Sequence, residues 1–124
     1  MVKTAAELNE VVQRFVKALN ERILVEQVFL SGDYATDTPA EYSDIRFIVI
    51  SPSFEAMAWG DRSDLLARIV MTVDLFIQSW GFSSTELVNG LRGQRYIPFL
   101  AMMLHDSREV YCAPRPDSAP AKRR

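Results

Sequence analysis

Residues 29–51 read FLSGDYATDTPAEYSDIRFIVIS, and the fold turns on how they are read. Ile23–Leu30 is dense in Val, Ile, Leu and Phe and stops at Ser31-Gly32, the pattern of a strand entering a turn. DYATDTPAEYS carries the Pro, Thr, Asp and Ser of a loop. IRFIVI, Ile45–Ile50, is the strongest strand signal in the chain, and Ser51-Pro52 ends it. The two strands are joined by 14 residues (31–44) without a helical pattern, so they pair antiparallel, or run parallel if the loop crosses over.

Outward from this stretch, Leu8, Val11, Val12, Phe15, Val16 and Leu19 make one apolar stripe on a helix over residues 4–20, with Thr4 and Glu7 as a capping box. Ser53–Gly60 is a loop or short helical turn. Asp61–Met71 is helical, with Leu65, Leu66, Ile69 and Val70 on one side and Arg62 and Arg68 off it. Val73–Gln78 alternates and is expected to be a strand, with continuation of the preceding helix as the alternative. Ser83 and Glu86 repeat the capping-box signature for a short helix ending near Gly90. A further helix is expected over Gln94–Leu104, broken or started by Pro98, then a short strand, Arg108–Tyr111. The order α-β-β-α-β-α-α-β predicts an α/β domain, a small mixed β-sheet packed by helices, over residues 1–112. Residues 113–124, rich in Pro, Ala and Ser and closing on Lys122-Arg123-Arg124, are expected to be a disordered tail.

With 48% apolar residues and a formal charge of −2, the 124-residue chain has no bulk attraction to nucleic acid or anionic membrane, and no specific nucleic-acid binding is expected. One cysteine, Cys112, excludes an internal disulfide framework and any multi-cysteine zinc site, and one histidine, His105, argues against a histidine metal site. His105 reads as a helix-end dipole partner and Cys112 as a plain thiol. No apolar run approaches 18 residues, so no membrane span is expected; without a signal-peptide pattern the default is cytoplasmic.

The chemistry-bearing residues gather around the quoted loop. Gly32 supplies positive φ or lets a phosphate approach the backbone closely. Asp44 and Arg46, two apart at a strand start, project from one face. Two acids in that relation hold Mg²⁺ ions that bridge triphosphate oxygens, whereas an acid and an arginine make an ion pair or an anion-binding fork.

Gly32, the 12 residues to Asp44 and the run Ser43-Asp44-Ile45 before an apolar strand resemble the nucleotidyltransferase motif of the DNA polymerase β superfamily, in its small single-domain form. SPSFEAMAWGDRSDLLARI resembles the Ser-Pro-x-Phe, Arg and Leu-Leu region of one branch. IQSWGFSSTEL resembles that branch's Val-Asp-Ala-Leu-Gly-Tyr-Thr-Pro-Glu-Glu-Leu, and REVY its Leu-Tyr ending. The similarity covers roughly residues 8–111 and implies a nucleotidyltransferase-like fold.

The departures fall on the chemistry. Where the motif has Gly-Ser this chain has Gly32-Asp33. Its second metal-binding acid is Arg46, and its third falls on Gln78. Only Asp44 remains of three carboxylates. A lone monodentate carboxylate rarely fixes Mg²⁺, and a cation at Arg46 repels it. The expectation is therefore a catalytically impaired nucleotidyltransferase fold acting as a binding, scaffold or regulatory subunit. It would form a homo- or hetero-oligomer through an edge of the sheet and a patch supplied by Trp59, Trp80 and Phe82. Met57, Met102 and Met103 read as core or interface.

Two alternatives stay open. The first is an active Mg²⁺-dependent transferase moving a nucleoside monophosphate from NTP to a hydroxyl acceptor. It would use Asp44 rescued by Asp33, by ligands from a partner chain or, with a shifted register, by Asp74, whose alternation matches Gln78. The second is a metal-free nucleotide or phosphate sensor built from Gly32, Asp33, Ser43 and Arg46. Mg²⁺ and NTP are implied only if the protein is active. Asp37 reads as a solvated turn former before a ligand, and Asp44 as an Arg46 ion-pair partner or strand-start cap before a metal ligand.

Overall fold

A computed structural model describes residues 2–91 and 98–114. The chain runs α1 (Ala5–Asn20), β1 (Gln27–Ser31), β2 (Ile45–Ile50), a 3₁₀ turn (Pro52–Ala56), α2 (Trp59–Met71), β3 (Ile77–Phe82), α3 (Ser84–Leu91), α4 (Pro98–His105) and β4 (Arg108–Cys112). The expected order of helices and strands is the one observed. The strands form a single sheet in the order β3-β2-β1-β4. β1 pairs antiparallel with β2 and β4, which settles the open choice for the first two strands, and β2 pairs parallel with β3. That parallel pair needs a crossover, and α2 provides it.

β2 is apolar apart from Arg46 because helices cover both faces of the rest of it. Ile45, Phe47 and Val49 join the buried stripe of α1 and the α2 residues Leu66 and Ile69 in one core. Phe15 of α1 stacks on Phe47, with ring centroids 4.6 Å apart. Ile48 and Ile50 point the other way, into a second core with Phe82, Leu87, Leu100 and Met103. The α1 stripe buries the six residues the spacing singles out, and the Thr4–Glu7 capping box is formed on both sides. Ser83 and Glu86 exchange the same reciprocal bonds before α3.

Arg46 shares the parity of Ile48 and Ile50, yet its side chain is exposed. It marks the end of the sheet that the second helical layer leaves open.

Four expectations are corrected. The first strand begins at Gln27 rather than Ile23. Ile23 and Val25 still pack on the core, but the Ile23 amide donates back to Leu19 and the Val25 amide to Asn20 Oδ1, so they form the exit from α1. Val73–Phe76 is neither strand nor helix. The Val73 and Asp74 amides both donate to the Val70 carbonyl, and the Asp74 carboxylate accepts from the Phe76 amide. This turn postpones β3 to Ile77. Arg62 is not on an outer face: it is 6% exposed. The expected Trp59–Trp80–Phe82 surface patch does not form either, because Phe82 is fully buried and Trp80 packs against the second core. Trp59 lies tilted on Phe82 at 5.4 Å.

Residues 94–97 of the expected Gln94–Leu104 helix lie outside the described residues, as do residues 115–124 of the expected tail. Ala113 continues the sheet by donating its amide to the Glu26 carbonyl. Met103 is buried, Met57 packs against the first core and Met102 is exposed. No helix among the described residues is long and apolar enough to cross a membrane.

Candidate functional site

The β1–β2 loop folds back on itself through its own polar side chains. Gly32 adopts φ +77°, and its carbonyl accepts from the Ala35 amide at 2.9 Å. Asp33 is the organiser: its carbonyl accepts from the Thr38 amide and Thr36 Oγ1, and its carboxylate accepts from Ser43 Oγ at 2.8 Å. Ser43 Oγ in turn accepts from the Ala40 amide. Asp37 sits at φ +60°, a left-handed position that aspartate tolerates better than most residues. The two ends of the loop are thereby clasped, and Asp44 is delivered to the mouth of β2.

Asp33, Ala40, Tyr42, Ser43, Asp44 and Arg46 line an open groove of about 360 Å³ at this end of the sheet. Within the sheet, Arg46 lies opposite Ser31 of β1 on one side and Gln78 of β3 on the other. The residues aligned with the second and third acids of the motif are thus immediate cross-strand neighbours. Above Gly32 the space is filled: a Cβ placed there would meet Arg46 Cδ at 3.2 Å and its Cγ and Nε at 3.7 Å. The methylenes of Arg46 therefore lie across the glycine. Asp44 and Arg46 form no ion pair with each other, against expectation, because the arginine stem is drawn toward Gly32.

Asp74 is not brought to this groove. It lies in the turn before β3, where its carboxylate caps the Phe76 amide and meets Lys3 Nζ at 3.1 Å, beside the start of α1. The parity argument that placed Asp74 with Gln78 presumed a strand that begins only at Ile77. His105, the last residue of α4, is exposed with Nδ1 3.2 Å from Asp106 Oδ1, and Cys112 is exposed on β4. Among the described residues no three His, Cys, Asp or Glu side chains gather as a metal site.

The sequence reading missed two residues. Tyr42 lines the groove and is 85% exposed; an aromatic inside a polar loop was the signal available for it. Arg62 is the other. Its guanidinium bonds both carboxylate oxygens of Glu86, at 2.8 and 3.2 Å, and donates to the Met57 and Gly81 carbonyls. It also lies 5.3 Å from the centre of the Trp59 ring. Burial works to raise the Glu86 pKa, but hydrogen bonds from Arg62 and from the Ser83 amide outweigh it and leave the carboxyl below its ordinary value.

No family model matches the sequence, and no curated protein matches it significantly. Solved structures do share the fold. A protein from Sulfolobus solfataricus assigned as a nucleotidyltransferase superposes with a TM-score of 0.56 at 14% identity, over 85% of this chain and 77% of that one. A toxin–antitoxin structure with AMP-PNP gives 0.57 at 17% identity, over 86% and 77% of the two chains. A chain from the Shewanella oneidensis complex of a tri-AMPylated HEPN toxin with its MNT antitoxin gives 0.51 at 18% identity, over 90% and 76%. At these identities the likeness is one of fold.

Proposed function

We propose that this chain, a small nucleotidyltransferase-fold domain by its structural neighbours, works as a binding subunit and not as a transferase. Fold and chemistry are separable, so the scaffold does not carry the reaction with it. The observation that carries the reading is the position of Arg46. Its stem covers Gly32, where a phosphate would approach the backbone, and its charge stands beside Asp44 and Gln78, where the fold's magnesium ions would be held.

The donor set does not fit that metal pair. Mg²⁺ needs carboxylates in near-octahedral array, and here one acid, one amide and one guanidinium occupy the positions. The carboxylates that would rescue it are engaged elsewhere: Asp33 holds Ser43, and Asp74 holds Lys3 and the Phe76 amide. A nucleotidyl transfer that needs two metal ions has too few ligands on this chain. The toxin–antitoxin neighbours support a protein partner as the bound object, as a homo- or hetero-oligomer.

A metal-free phosphate or nucleotide at Arg46 is the second reading. It is favoured by a guanidinium with no carboxylate among the described residues to neutralise it.

Calorimetry with ATP, with and without Mg²⁺, tests both readings. The expected result is no magnesium-dependent gain in ATP affinity and no transfer of label from α-phosphate-labelled triphosphate. The double variant Arg46→Asp/Gln78→Asp, which returns acids to the aligned positions, is expected to gain magnesium-dependent ATP binding. Turnover by the native chain that disappears with Asp44→Asn would overturn the proposal. Metal-independent ATP binding abolished by Arg46→Glu would select the second reading.

A further inference from the structure

We infer that the mouth of β2 is a two-fold contact surface for a second copy of this chain, built on reciprocal pairing of Asp44 in one copy with Arg46 in the other. The inference rests on the reading of the groove as a binding surface and goes beyond it by naming the occupant.

Asp44 immediately precedes β2 and Arg46 is its second residue; the two are opposite charges two residues apart, and neither side chain has an ion-pair partner among the described residues. Asp33, the other charged residue lining the groove, accepts a hydrogen bond from Ser43 Oγ. Two partly buried pairs elsewhere in the chain are matched locally, Lys3 with Asp74 and Arg62 with Glu86. A doublet of one cation and one anion is self-complementary under a two-fold rotation: turned about an axis between them, each meets its opposite in the other copy.

The apolar content lies beside the doublet. Tyr42 lines the groove at 85% exposure. The Phe76 carbonyl accepts from the Ile45 amide, which puts the Leu75–Phe76 turn next to Asp44, and these two side chains are 78% and 61% exposed. Tyrosine and arginine, which share this groove, are among the residues that dominate binding energy at protein interfaces. The clasped β1–β2 loop holds the surface in shape before contact, which lowers the ordering cost of association.

Light scattering over a concentration series tests the inference on the full chain. The native protein is expected to be a dimer at micromolar concentrations, with an affinity that falls as sodium chloride rises from roughly 0.05 to 0.5 M. Asp44→Arg alone and Arg46→Asp alone each set like charges across the axis and should weaken self-association by roughly a hundredfold. Mixing the two single variants restores both pairs, so the mixture should form a heterodimer that neither variant forms alone. Circular dichroism confirms that each variant is folded.

A native chain that stays monomeric, a dimer indifferent to salt, or a mixture that does not associate would each overturn the inference. A magnesium-loaded groove with nucleotidyl transfer would instead defeat the proposed function, so the two failures are told apart.

Discussion

Arg62 and Arg46 carry the same guanidinium into opposite surroundings. Arg62 lies inside, bidentate to Glu86, bonded to two backbone carbonyls and held over the rings of Trp59 and Phe54. One of those carbonyls belongs to Gly81 on β3, an edge strand, so the arginine also shields part of an edge that would otherwise be open to another chain. Arg46 lies outside on the neighbouring strand with its stem across Gly32 and its charge unmatched. A buried cation that is fully bonded serves the fold, because any unpaired donor there would cost stability. An exposed cation that the fold leaves unpaired is free to serve a partner.

The comparison breaks most sharply at Arg62. Arg62→Met removes the charge, takes the ion-pair partner from Glu86 and leaves the Gly81 and Met57 carbonyls without the guanidinium donor. The expected loss is about 3 kcal/mol, read as a lower urea midpoint at unchanged slope. A loss under about 0.5 kcal/mol would mean that Arg62 is replaceable packing, and the contrast with Arg46 would lapse.

Acid sharpens it next. The Glu86 carboxyl titrates below its ordinary value of 4.5 in the folded chain, so its contribution is fully present above that pH. It drains away as pH falls through the lowered native value, because protonation then favours the unfolded chain. Glu86→Gln should therefore cost about 2 kcal/mol at neutral pH, and its deficit against the native protein should shrink steadily below pH 4.5. Urea titrations of both proteins from neutral pH down to the acid range measure the difference. A deficit that grows on acidification has the wrong sign for this ion pair.

These same residues mark where the sequence stopped being legible. The α1 stripe and β2 could be read because periodicity and burial coincide: Leu8 through Leu19 fall on one face, and Phe47–Ile50 is buried on both. The order of elements followed. Val73–Phe76 misled because its alternation comes from a turn, in which Asp74 caps an amide and Leu75 and Phe76 face solvent. Six residues are too few to separate that from a strand. Arg62 was hidden because its acid partner is 24 residues away, in the first turn of another helix. Helical spacing reports which face is apolar, not whether a cation on the other face meets a distant carboxylate. At the groove, parity placed Asp44 with Arg46, and the register set Gln78 beside Arg46. The absence of an ion pair between the two charges goes with the turn at Gly32 and the arginine stem laid across it, a tertiary contact that no local pattern encodes.

The smallest expected effect is at the exposed arginine itself. Arg46→Met keeps an unbranched side chain that can still cross Gly32 and removes only the charge. Surface substitutions without bonded partners stay within about 0.5 kcal/mol, and the unfolding midpoint should hold there. The same variant removes one member of each reciprocal pair, so self-association measured by light scattering should weaken while stability does not move. If Arg46→Met instead destabilised the chain as strongly as Arg62→Met, the guanidinium on β2 would be a structural cation like the other, and the free charge at the groove would lose its claim to a partner.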